Sequence, residues 1–133
     1  MAASLYERWM RAKELLASGN AHAASVILEA IRDVEPSKGS VREALGRAYF
    51  ISGRARQAEE EFTELLAIDP SNDYAYYALA LCAMRRGDDD RARSHLQMAR
   101  VMNPGNEEYA KAYERLQMRR YGNEESSFRE QSD

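Results

Sequence analysis

Cysteine, histidine, lysine and proline are all scarce in this 133-residue sequence, and no long apolar run occurs. The single cysteine, Cys82, excludes an intrachain disulfide. No apolar stretch approaches the roughly 18 residues that a membrane span needs. The opening segment MAASLYERWMRAK lacks the apolar region of a secretory signal. Together these absences read as a soluble cytoplasmic protein without membrane association. His22 and His95 are far apart, and neither has a metal-ligand neighbour at helical spacing, so no metal or other cofactor is expected. There is no glycine-rich phosphate loop. Cys82 sits in the apolar run ALALCAM, with no base nearby to activate it. The sequence therefore offers no catalytic constellation, and an enzyme is not expected.

Charge is balanced but unevenly placed. The net charge of −3 equals that of residues 122–133 alone, where Glu124, Glu125, Glu130 and Asp133 face only Arg129. The body is neutral, which argues against nucleic acid, because such partners select a basic surface. Arginine outnumbers lysine 16 to 3, a bias that points to a GC-rich, bacterial genome.

What is present is a period. The three prolines, Pro36, Pro70 and Pro104, stand 34 residues apart, twice. Gly19, Gly53 and Gly87 keep that spacing, as do Ala24, Ala58 and Ala92. Bulky residues follow it at Leu28, Phe62 and Leu96, and apolar ones at Val34, Ile68 and Met102. Between these points apolar residues recur at intervals of three and four, so each unit reads as two helices. Each glycine suits a left-handed helix end. Each proline closes a pair, because it cannot continue a helix and biases its predecessor away from one. The recurring alanine marks a close approach between the paired helices. In GDDDRA, residues 87–92, the aspartates read as a helix start rather than a metal site: one caps the free amides and the others complement the dipole.

On these residues the chain resembles the tetratricopeptide repeat family. Unit two carries Leu45-Gly46, Tyr49, Ala58, Phe62 and Pro70 in order; unit three offers Tyr76, Leu79-Ala80, Ala92, Leu96, Ala99 and Pro104. Unit one keeps Ala12, Ala24, Leu28 and Pro36 but has Arg8 and Arg11 where large apolar residues are usual, as suits a first helix with nothing before it to pack on. The resemblance implies an all-α, right-handed superhelix of stacked antiparallel hairpins, about seven helices in all. The expected domain is 1–121, with repeats at about 5–38, 39–72 and 73–106 and a capping helix at about 107–121 carrying Tyr109, Ala110, Tyr113, Leu116 and Gln117. Residues 122–133 lack periodicity and read as a disordered acidic tail.

The resemblance further implies that the first helix of each pair lines a concave face. Helical phase then assigns the groove residues. They are Tyr6, Trp9 and Lys13 in unit one, and Arg47 and Phe50 with Ser40, Glu43 and Ile51 in unit two. Unit three adds Tyr74, Tyr77, Leu81 and Arg85 with Met84, and the capping helix adds Lys111, Arg115 and Arg119 with Glu108 and Met118. Six bases against two acids, interleaved with aromatics, make a surface of the composition that dominates protein interfaces. Trp9 also fits a core stripe with Leu5, Ala12 and Leu16, so groove and core both remain open for it. Tyr76 is assigned to the core, and Tyr74 and Tyr77 to the groove. The lysine-and-asparagine clamp by which some family members hold a chaperone's C-terminal carboxylate is not expected, because no asparagine stands near Lys13.

The expected function is a protein-binding adaptor or scaffold whose groove takes an acidic or mixed acidic and apolar peptide segment. The alternatives are a dedicated bacterial chaperone or assembly factor for one client, and self-association of a homo-oligomer through the acidic tail.

Overall fold

The computed structural model describes the backbone of residues 3–132 and the side chains of residues 3–119. The described residues form seven helices and no strand: α1 (Leu5–Ala17), α2 (Ala21–Val34), α3 (Gly39–Ile51), α4 (Ala55–Ile68), α5 (Asp73–Arg85), α6 (Asp89–Met102) and α7 (Glu107–Ser132). Loops of three residues join the helices of a pair, and loops of four join successive pairs. Each helix packs on the next, giving the expected all-α solenoid of stacked hairpins. No helix among the described residues is long and apolar enough to cross a membrane.

The punctuation works as its chemistry demands. Gly19, Gly53 and Gly87 have φ of 88°, 84° and 81°, the left-handed region that a side chain disfavours. At each, the residue after the glycine donates its backbone N–H back to the preceding helix: Asn20 to Leu15 at 2.7 Å, Arg54 to Tyr49 at 2.8 Å and Asp88 to Ala83 at 2.9 Å. Ser4, Asn72 and Asp88 accept backbone amides at the starts of α1, α5 and α6. The Asp88 bond, to the amide of Arg91, gives GDDDRA the role of a helix start.

Repeat-equivalent positions carry the stacking. Val41, Ala44, Leu45 and Ala48 of α3 are buried; so are Ala75, Ala78, Leu79 and Cys82 of α5, and Tyr109, Ala112 and Leu116 of α7. The corresponding positions of α1 are Glu7, Met10, Arg11 and Glu14, all exposed. That face of α1 is therefore polar where its counterparts are apolar. On α7 the buried stripe is displaced from the expected one: Ala112 is buried, Ala110 and Tyr113 are half-buried, and Gln117 is exposed, bonding the Tyr113 hydroxyl. Helix α7 also continues to Ser132, past the expected end at 121. Gly122 alone does not stop it, since one interior glycine costs only about 1 kcal/mol relative to alanine. The side chains of the expected tail, 122–133, lie outside those described.

Within the pairs, Ala24, Ala58 and Ala92 are fully buried, and each lies near a buried bulky partner, Leu28, Phe62 or Leu96. A close approach joins α3 and α4, where a Cβ added to Gly46 would meet the Phe62 ring at 2.7 Å. Phe62 is 1% exposed, and its edge meets Tyr74. Gly46→Ala should therefore destabilise the fold by about 1–2 kcal/mol despite its better helix propensity, measured by chemical denaturation.

Candidate functional site

The 34-residue register sets four rows of side chains along the exposed edges of α1, α3, α5 and α7. One row reads Lys13, Arg47, Leu81, Arg115; another reads Trp9, Glu43, Tyr77, Lys111. Two neighbouring depressions open on this face. The first, of about 360 Å³, lies between α1 and α3, with Trp9, Lys13 and Leu16 on one side and Glu43, Arg47 and Ile51 on the other. The second is a narrower slot of about 100 Å³ between α3 and α5. Phe50 and Ile51 flank it on α3, Tyr74, Ala78 and Leu81 on α5, and Phe62 of α4 contributes from behind. Arg47 and Ile51 line both depressions, so the two adjoin across α3.

Most of the remaining candidate side chains are engaged within the chain. Arg85 lies 3.9 Å from the centre of the Phe50 ring and donates to the Phe50 carbonyl oxygen at 2.7 Å. It fastens α5 to α3 rather than reaching outward. Arg119 pairs with Asp89 at 3.3 Å, and Lys111 approaches Glu108 at 3.9 Å. Lys13 stands 5.8 Å from the Trp9 ring and is exposed. Arg47 and Arg115 are exposed, and Tyr6 is 71% exposed at the outer end of the α1 stripe. Trp9 has both of its anticipated roles: it is half-buried, packing on the core while lining the first depression.

The three tyrosines of α5 do not divide cleanly into core and groove, because all three are half-buried. Tyr74 meets the edge of Phe62 at 6.2 Å and lies 6.2 Å from Tyr77. Burial raises the Tyr74 pKa, and the positive charge of Arg47 opposes that shift. Tyr77 stacks on Tyr109 at 4.9 Å and so fills the seam between α5 and α7. The Tyr109 hydroxyl donates to Asp73 at 2.6 Å, and that bond holds the Asp73 carboxyl below its ordinary range. Tyr76 turns toward α6 and faces His95, with ring centres 6.3 Å apart. Helical phase does not supply the neighbouring helix that covers each ring.

A polar feature escaped the sequence reading. Glu61, 5% exposed, accepts from Arg32 of α2 at 2.7 Å and from Arg42 of α3 at 2.8 Å. Three helices of two successive repeats thus meet on one carboxylate. Removing Glu61 would leave the Arg32 and Arg42 guanidinium groups without their shared carboxylate, which is unfavourable at so little exposure. The signal that reveals it is the register: 34 residues after Arg42 and Glu61 stand Tyr76 and His95, which also face each other. The Cys82 thiol is pushed up to about 11 by burial, which leaves it unreactive at neutral pH. His22 is exposed.

Two tetratricopeptide repeat family models match the sequence, one over residues 49–116 and one over residues 10–73. Among curated proteins, no sequence matches. The fold is similar to that of the Yersinia enterocolitica type III secretion chaperone SycD, solved with a peptide of the translocator YopD. There the identity is 17% and the TM-score 0.75, over 89% of this chain and 90% of that one. It is similar as well to the first such domain of Spaghetti (RPAP3) bound to the HSP90 peptide SRMEEVD, at 15% identity and TM-score 0.80, over 86% and 90% of the two chains. The Sgt2 domain from Aspergillus fumigatus matches at 15% identity and TM-score 0.82, over 93% and 83%. Identities this low speak to the fold alone.

Two outcomes follow from the placement of the rings. Tyr77→Ala should cost about 2 kcal/mol of stability, since it opens the seam against Tyr109, measured as a shift in the denaturation midpoint. His95 has its pKa lowered by burial, with the Arg91 charge adding to that effect and Glu59 and Asp88 opposing it. Its neutral form is favoured in the fold, so its contribution is complete above the ordinary value of 6.5 and is lost as pH falls through the depressed one. Stability measured from pH 7 to pH 5 should decline, and His95→Gln should flatten that slope.

Proposed function

This chain belongs to the tetratricopeptide repeat family, and from that premise we propose that it is a protein-interaction module, an adaptor or scaffold, that takes a peptide segment of a partner along α1, α3 and α5. The observation that carries this reading is that a depression bearing Lys13 and Arg47 adjoins an apolar slot on the same face. An extended segment crossing α3 meets charge in one and apolar walls in the other. Exposed arginine and lysine pair with the carboxylates of such a segment, while half-buried aromatics accept its apolar side chains. The solved relatives that hold peptides, SycD and the Spaghetti domain, support the class of ligand. A second reading, a dedicated chaperone for one client, rests on the similarity to secretion chaperones and uses the same face.

The chain has one tryptophan, and it lines the first depression. A partner segment captured by pull-down with the full chain should shift Trp9 emission on binding. Its affinity, near the micromolar range for so small an interface, should fall between about 50 mM and 500 mM salt as exposed charge pairs are screened. A captured segment that leaves Trp9 emission unchanged binds elsewhere and removes this reading.

A further inference from the structure

The groove is not equally available along its length. Between α5 and α7, Tyr77 and Tyr109 stack at 4.9 Å and fill the seam. Arg85 is held on Phe50, and Arg119 on Asp89. Between α3 and α5 the corresponding seam is open and forms the slot. The slot shares Arg47 and Ile51 with the α1–α3 depression beside it. Among the described residues, Lys13 and Arg47 make no ion pair, and Glu43 is the carboxylate that lines that depression with them. Two cations against one acid leave it positive.

Resting on the groove reading above, we infer that the bound segment is short and extended, with a footprint confined to α1–α5. An aliphatic side chain sits in the slot, and two or three residues away a carboxylate lies between Lys13 and Arg47. The slot, at about 100 Å³, is smaller than the roughly 150 Å³ that accommodates a benzene ring. Apart from Arg47 at its border with the depression, the residues that line it are apolar or aromatic, Phe62, Tyr74, Ile51 and Leu81 among them, and offer contact to an aliphatic group. The spacing follows from geometry: the slot and the depression lie on the two sides of α3, one helix width is on the order of 10 Å, and an extended chain advances about 3.3 Å per residue. The carboxylate falls on the α1 side of the slot because the depression that bears Lys13 and Arg47 adjoins it there. On the other side, toward Arg115, the tyrosine stack intervenes.

The test uses fluorescein-labelled nine-residue peptides of glycine, serine and alanine that carry one leucine and one glutamate, separated by zero to five residues. Binding to the full chain is read by anisotropy, and the unlabelled peptides by Trp9 emission. Affinity should be greatest at a step of two or three residues. Replacing leucine by alanine in the peptide should weaken it about tenfold, and replacing glutamate by glutamine about fivefold. Arg47→Glu should turn the preference toward peptides with lysine in place of glutamate, and Lys111→Ala should change nothing beyond twofold. Peptides that alter Trp9 emission with equal affinity whatever their charge or spacing overturn the two-point footprint and leave the groove reading standing. A response to Arg115→Glu in place of Arg47→Glu moves the carboxylate across the slot and overturns it likewise. No response from any peptide up to about 5 mM, weaker than any functional affinity on the usual scale, overturns both readings.

Discussion

The approach of α3 to α4 over Gly46 is the constraint on which the rest of the molecule depends. The Phe62 ring lies where a Cβ on Gly46 would have to be, and it is almost wholly excluded from solvent. Its other edge meets Tyr74, and the ring backs the slot between α3 and α5. One side chain therefore sets the depth of the central hairpin, positions the next repeat and shapes the surface offered to a partner. Because interiors are close-packed, a change on the core side of that ring reaches the slot without any change in the slot's own residues. Groove and core are one packing problem in this chain.

Electrostatics supports the same joint from the opposite side. Glu61 collects Arg32 and Arg42, so that α2, α3 and α4 are tied at a buried carboxylate. An apolar trio of similar volume would serve stability as well or better. What the ions add is geometry: two guanidinium groups reach one carboxylate only when the first and second hairpins sit in one relative position. In the third hairpin the same positions hold Tyr76 and His95, a contact that lacks this charge pairing. The joint between the first two repeats is thus the more tightly specified, and it is the one that the α1–α3 depression straddles.

Much of this was legible in the sequence, and the division between what was and was not has a physical basis. Glycine, proline and small alanine impose their constraints through the local backbone, so Gly19, Gly53 and Gly87 and the three prolines locate six helices without knowledge of their neighbours. Helical phase likewise places Trp9, Arg47, Phe50, Tyr74 and Leu81 on one face. What phase does not supply is the partner across a seam. Arg85 was placed in the groove by its spacing, yet its guanidinium is held by the ring and carbonyl of Phe50, 35 residues earlier. Tyr77 was assigned to the surface, and it is the ring of Tyr109 on α7 that half-buries it. The buried Glu61 was hidden for the same reason, since its two partners lie on other helices.

These long-range engagements decide how the face is used. A row that reads Lys13, Arg47, Leu81, Arg115 suggests a charge track broken once, whereas the structure divides it. At one end, the seam beyond Leu81 is closed by stacked tyrosines that are themselves anchored, through the Tyr109 hydroxyl, to Asp73 at the start of α5. At the other end, the seam before Leu81 stays open between Phe50, whose ring Arg85 covers, and Ala78. The small side chain of Ala78 is as necessary to the slot as the large ones around it: it is buried at the level where Tyr74 and Leu81 flank the opening. A repeat that is regular in its backbone thus acquires a distinct slot through irregular side-chain contacts between repeats, and under the proposed function those contacts would set where a partner engages.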